Sequence, residues 1–293
     1  AGPDKGEYKV LRGGSYRSED GEYGECAVVS RVSTDFGLML SSQGLRLVLG
    51  DKVNSAPEAD PFTINGVEFK MVPVYGGKFT MGNDNGEENE QPAHEVTLDD
   101  YLIGQTEVTD DLWDAVMGGS PSGYNTPKGY VSWDQRQEFV AKLNTQIARQ
   151  IDGKVFRLPT EAEWEFAARG GNDSKGYTYS GSNNLDDVAH YGEDYSEFNH
   201  PVPYDVASLE PNDLGIYDMS GNVEEWRYDM YGEYEKKPQT NPTGVVIGEY
   251  HVTRGGSVIS HEYECRTRTR EDGEYPNENL GFRLVLGAEY SLP

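Results

Sequence analysis

The chain repeats part of itself. Arg12-Gly13-Gly14-Ser15 returns as Arg254-Gly255-Gly256-Ser257, and Glu22-Tyr23-Gly24-Glu25-Cys26 returns as Glu262-Tyr263-Glu264-Cys265. Gly44-Leu45-Arg46-Leu47-Val48-Leu49-Gly50 returns as Gly281-Phe282-Arg283-Leu284-Val285-Leu286-Gly287. The order is the same, and loops absorb the difference in spacing. An echo of this kind means that one folding unit occurs twice, the first time only as its tail. Residues 1–50 therefore read as a partial copy. Residues 51–61 are polar with two prolines and read as a linker. Residues 62–293 are left as one domain. The strand-like runs Tyr8–Leu11, Ala27–Val32 and Leu45–Leu49 cannot bury their apolar faces alone, so the partial copy is expected to dock on a complementary surface, that of the main domain being nearest.

Composition bounds the partners. There are 51 acidic and 25 basic residues, a formal charge of -26. Such a surface repels nucleic acid and anionic membranes and suits cations or basic partners. Twenty tyrosines argue against disorder, and 35 glycines with 15 prolines call for many turns and ordered loops. No run of 18 apolar residues provides a membrane span. No signal peptide is present, and the opening Ala1-Gly2-Pro3 reads as a processed or trimmed product. Two cysteines, Cys26 and Cys265, are too few for a disulfide framework.

Helix signals cluster in the first half of the main domain. Thr109 is an N-cap ahead of Leu112, Trp113, Val116 and Met117, with Gly118-Gly119 as the stop. Ser132 with Gln135, and Thr160 with Glu163, form capping boxes. The second helix should bury Phe139, Val140, Leu143 and Ile147, and the third Trp164, Ala167 and Ala168. Residues 67–82, with Gly76-Gly77, read as strand, tight turn, strand. After Gly170 no long helix is signalled. The class is α+β.

Several segments carry a resemblance. They are Phe69-Lys70-Met71-Val72-Pro73, Gly77-Lys78-Phe79-Thr80-Met81-Gly82, Glu107-Val108-Thr109, Val131-Ser132-Trp133, the run Arg157 to Gly171 around Pro159-Thr160-Glu161-Ala162-Glu163-Trp164, the run Gly215 to Trp226 around Ser220-Gly221-Asn222-Val223-Glu224-Glu225, and the closing Arg254-Gly255-Gly256-Ser257 and Gly281-Phe282-Arg283. In this order they resemble the formylglycine-generating enzyme, or sulfatase-modifying factor, family, and more finely its tandem members in Bacteroidetes. The resemblance implies the C-type-lectin-like fold. The capped helix after Arg157 is read as scaffold, with Arg157 and Glu161 tying it to neighbouring loops.

That family oxidises a substrate cysteine with O2 and a copper(I) ion between two thiolates, which are soft ligands suited to it. The resemblance places the second thiolate on Cys265 and the first on Ser260. A serine hydroxyl is a hard, neutral, poor ligand for copper(I), so copper is not expected and the catalytic pair is degenerate. Cys26 matches Cys265 within the repeat and belongs to its own copy. Cys265 reads as a small buried core residue. The five histidines form no iron-binding cluster, and no phosphate loop, serine elbow or zinc motif is present.

The resemblance also implies calcium, held by Asp218 and Glu225 with the carbonyls of Gly221 and Val223. Hard oxygens from one short curved segment are what that ion takes. A second family site would use Asp187 and the Val188 carbonyl. Ligand contacts are expected on the loops 258–264 and 270–279, from His261, Glu262, Tyr263, Glu271, Asp272, Tyr275 and Asn277, a tyrosine- and acid-rich face suited to a polar ligand or a basic peptide. Three functions follow as expectations. The first is a non-catalytic module, secreted or surface-associated, for a protein, peptide or glycan ligand. The second is a formylglycine-generating oxidase with an altered copper site. The third is a structural component of an envelope or motility complex.

Overall fold

The computed structural model describes residues 61–290, apart from positions 152, 197, 198, 246 and 274, together with two strands nearer the N-terminus. The chain separates into two units, Ala1–Asn54 and Ser55–Pro293. In the first, β1 (Tyr8–Arg12) pairs antiparallel with β2 (Arg31–Asp35), setting Lys9 against Thr34, Val10 against Ser33 and Leu11 against Val32. The remaining residues of the partial copy, the linker and their expected docking lie outside the described residues.

The described residues of the second unit hold thirteen strands, the first hairpin being β3 (Phe62–Ile64) and β4 (Val67–Phe69). It is closed by Asn65 and Gly66 at φ 48° and 87°, left-handed at both central positions as a two-residue hairpin turn requires. The following strands are β5 (Met71–Val74), β6 (Gly77–Met81), β7 (His94–Leu98) and β8 (Tyr101–Gly104). The reading of 67–82 as one hairpin does not hold. β5 pairs with β8 and β6 with β7, in separate sheets. Gly76 makes the step between them, where a Cβ would stand 2.2 Å from the Leu98 carbonyl oxygen.

The three helices stand where their caps put them. Thr109 Oγ1 accepts the Leu112 N–H before α1 (Asp110–Met117), and Gly118, at φ 93°, ends it. Ser132 and Gln135 close both bonds of a capping box before α2 (Trp133–Ile147), as Thr160 and Glu163 do before α3 (Glu161–Ala168). α2 buries Phe139, Leu143 and Ile147, with Phe139 stacked on Trp113 at 5.1 Å and meeting Phe282 edge-on. Each fully buried side chain of this size contributes about 1.5–3 kcal/mol. Val140 is only half-buried, while Arg136 joins the buried stripe. Every residue of α3 is buried, not one stripe, because its glutamates are matched from outside the helix.

The remaining strands are β9 (Val155–Arg157), β10 (Glu224–Met230), β11 (Gln239–Thr240), β12 (His251–Arg254), β13 (Glu271–Gly273), β14 (Leu280–Gly281) and β15 (Val285–Gly287). They complete a central sheet ordered β5-β8-β15-β9, a second ordered β13-β12-β10-β14 and a third ordered β11-β7-β6. β12 and β13 set His251 against Gly273, Val252 against Asp272 and Thr253 against Glu271. When the sequence echo is laid on this pair, Lys9, Val10 and Leu11 fall on His251, Val252 and Thr253, and the register is that of β1 and β2. Among the described residues no helix is long and apolar enough to cross a membrane.

Candidate functional site

The turn between Asp218 and β10 ties three loops together. Gly221, at φ 78°, leaves no room for a side chain, since a Cβ would meet the His190 carbonyl oxygen at 2.4 Å. Asn222 donates its N–H to that same oxygen at 2.9 Å, accepts the Tyr204 N–H on Oδ1 at 2.9 Å, and accepts the Val258 N–H on its carbonyl at 3.0 Å. One residue thus fixes segments around 190, 204 and 258 as a single platform.

Asp218 and Glu225, the expected calcium ligands, have different surroundings. Arg283 donates to both oxygens of Glu225, with Nε at 2.8 Å from each, and Arg227 Nη1 donates to Oε2 at 3.0 Å. Burial alone would raise this carboxyl; Arg283 and then Arg227 hold it below the usual range. A carboxylate so engaged does not fit a free calcium ligand. Asp218, at φ 58°, accepts the Ala207 N–H at 2.7 Å. Its neighbour is Glu107, which the sequence did not single out as a site residue. Glu107 is raised well above its ordinary value by burial and then by the Asp218 charge, and its Oε2 has no hydrogen-bond partner among the described residues. Burial raises Asp218 as well. A cation suits this pair better than it suits Glu225, although no group of three or more acidic, histidine or cysteine ligands is arranged for a metal among the described residues. Asp187 uses both oxygens locally, accepting from Ser182 Oγ at 2.9 Å and Asn184 Nδ2 at 2.8 Å.

Ser260 and Cys265, the degenerate pair, have separate partners. Ser260 Oγ accepts the Ser257 N–H at 3.0 Å. Cys265 is fully buried as a free thiol against Leu185, Val188 and Ala189, and its carbonyl accepts Ser220 Oγ–H at 2.8 Å. Burial, then the Glu264 charge, pushes the thiol up to about 12. Cys26 lies outside the described residues. A thiol raised this far stays protonated at neutral pH, and a serine hydroxyl is a hard, neutral ligand that suits copper(I) poorly.

His261, Glu262, Tyr263, Glu271, Asp272, Tyr275 and Asn277 are all exposed. The structure brings them into two groups. In one, the His261 and Tyr263 rings lie parallel at 5.9 Å, and the charges of Glu264 and Glu271 raise the Tyr263 hydroxyl. In the other, the Asn277 carbonyl accepts the Tyr130 N–H at 2.8 Å, and Tyr130 Oη donates to Glu278 Oε2 at 3.1 Å. Tyr130 was not anticipated. It is 65% exposed and holds φ 54°, a region costly for an aromatic residue. Tyr195 and Tyr204 are exposed too, the latter stacked on His190 at 3.9 Å. No local sequence signal marks these three. The turn at Asn222 places the loop of Tyr204, while Tyr130 is placed by the 277–278 loop.

Small mixed sheets, three helices and long pinned loops of this kind define a C-type-lectin-like domain of the formylglycine-generating-enzyme type. The chain belongs to the sulfatase-modifying factor enzyme 1-like domain family, whose profile matches residues 57–288. It is 33% identical over 234 residues to the chaperone protein LppX of Paenibacillus barcinonensis, covering 65% of this chain and 79% of that one. It is 27% identical over 311 residues to the formylglycine-generating enzyme of Streptomyces coelicolor, covering 80% and 93%. Among solved structures it superposes on Treponema denticola variable protein 1 with a TM-score of 0.67 and 30% identity, over 77% of this chain and 98% of that one.

Proposed function

We propose that this is a non-catalytic binding module, secreted or surface-associated, whose loop face takes a protein or peptide segment, or a glycan. The observation that carries the reading is Tyr130. Its ring stands in solvent on a strained backbone, with its N–H and its hydroxyl both fastened to the 277–278 loop. An apolar body with a polar tip, held in place before binding, contributes contact area at little entropic cost. Seven of the nine large apolar or aromatic residues exposed among the described residues are tyrosines. Carboxylates at Glu193, Glu264, Glu271 and Glu278 stand beside them, which favours a basic or neutral polar ligand. Similarity to a protein named as a chaperone supports a polypeptide partner. The enclosed thiol of Cys265 and the hydroxyl of Ser260 weigh against the oxidase reading.

The test is a peptide and glycan array probed with the full chain, followed by titration of the best ligand against Tyr130→Ala and Tyr263→Ala. Loss of binding in either variant with an unchanged melting temperature supports the reading. Ligands retained by both, or turnover of a sulfatase-type cysteine peptide to the aldehyde, overturns it.

A further inference from the structure

Five arginines are buried among the described residues, and four of them sit on glutamates. Arg227 and Arg283 hold Glu225, while Arg254 and Arg270 hold Glu161. The fifth, Arg136 in the first turns of α2, is 0% exposed, and its Nε, Nη1 and Nη2 find no acceptor among the described residues. Its guanidinium lies over the Trp226 ring, 4.1 Å from the centroid, with Trp133 at 5.9 Å. Stacking on indole faces is favourable for a guanidinium but leaves its in-plane N–H donors unanswered. Burial alone lowers its pKa from the usual arginine range to about 9. A buried cation without a counter-charge is among the costliest features a fold can carry.

The groups around it are short of acceptors as well. Trp226 Nε1, a donor only, also lacks a partner. His251, stacked on Trp133 at 3.5 Å, has Nδ1 on the Tyr228 carbonyl oxygen at 3.0 Å, and burial lowers it, so it brings no negative charge. Gly273 packs close to the Trp226 ring, where a Cβ would meet it at 2.9 Å. Four unanswered donor nitrogens, on a guanidinium and an indole, therefore share one aromatic pocket at the start of a 15-residue helix.

We propose that Arg136, Trp226 and Trp133 form a carboxylate-binding recess, in which a ligand's planar carboxylate meets the guanidinium fork edge-on while the indole rings cover its faces. The planar match favours carboxylate over a spherical anion. Trp133 and His251 beside it are only half-buried. The recess stands independently of the tyrosine face.

The experiment titrates the full chain with sodium acetate and sodium benzoate at fixed ionic strength made up with sodium chloride. Tryptophan fluorescence and melting temperature are the readouts. Expected is a saturable response to either carboxylate that chloride does not produce, weakened at least about tenfold in Arg136→Met, since a hydrogen-bonded charge contributes that much. Arg136→Lys keeps the charge and loses the fork, so it should fold and still bind more weakly. It serves if Arg136→Met fails to fold. Indistinguishable carboxylate and chloride curves would overturn the proposal, as would a lysine variant that titrates like the native chain. Neither result touches the tyrosine face, whose test reads Tyr130 and Tyr263.

Discussion

Arg270 donates Nε to Glu161 Oε1 at 2.7 Å and Nη2 to Oε2 at 2.9 Å, across 109 positions of sequence. Arg254 donates to the same Oε1 from Nη2 at 2.7 Å and from Nε at 3.0 Å. Burial would raise Glu161, yet Arg270 and Arg254 hold it at about 2. Glu161→Gln should therefore cost about 3–5 kcal/mol, as for any buried pair broken on one side. Denaturant titration at pH 7 checks this, and a loss under 1 kcal/mol on the same scale would mean that the clasp is not what holds α3.

Asp229 behaves oppositely. Burial first, then the Glu161 charge, raises its carboxyl to about 8. Between its unfolded value of about 4 and 8, the folded chain keeps a proton that the unfolded chain gives up. Asp229 therefore makes stability fall as pH rises through that window. Asp229→Asn, which can still accept the Glu161 N–H now bonded at 2.8 Å, should flatten the slope and be more stable than the native chain at pH 9. Parallel pH–stability curves for the two would refute the assignment.

Calcium is expected to act through Asp218 and Glu107. Chelation should lower the melting temperature, and Asp218→Asn or Glu107→Gln should remove the calcium response. Glu225→Gln should instead weaken the fold with or without the ion, because Arg227 and Arg283 lose their shared counter-charge. Melting curves that ignore chelator would exclude the ion at this turn. A calcium response lost only in Glu225→Gln would restore that residue as the ligand.

Cys265 should resist alkylation in the folded chain at pH 8 and react once unfolded, as its burial and raised thiol require. Peptide mapping after N-ethylmaleimide reads it out. Ser260→Cys should gain copper(I) affinity without formylglycine production, since a substrate groove has to be right as well. Aldehyde formation detected by mass spectrometry in either chain would contradict this.

Helix starts were legible because capping is local. Thr109, Ser132 and Thr160 each answer an N–H three residues on. The Asn65-Gly66 turn is just as local, yet it was not read from the sequence. Strand pairing was not, since β5 and β6 are neighbours in sequence and belong to different sheets. Family motifs placed Asp218 and Glu225, but nothing near Glu225 foretells that Arg283, 58 residues on, occupies both its oxygens. Arg136 was not singled out in the sequence, since nothing local to the helix marks it. Only the packed tryptophans show it to be enclosed.

β15 is the last strand among the described residues, yet it lies between β8 and β9 in the central sheet. A ribosome making this protein therefore delivers the middle of that sheet after both of its neighbours. Until Val285–Gly287 has emerged, the edges of β8 and β9 that it will cover stay open to other chains, and folding must wait for contacts of long sequence separation. Premature termination, even a few residues short of this strand, removes a keystone and not a fringe.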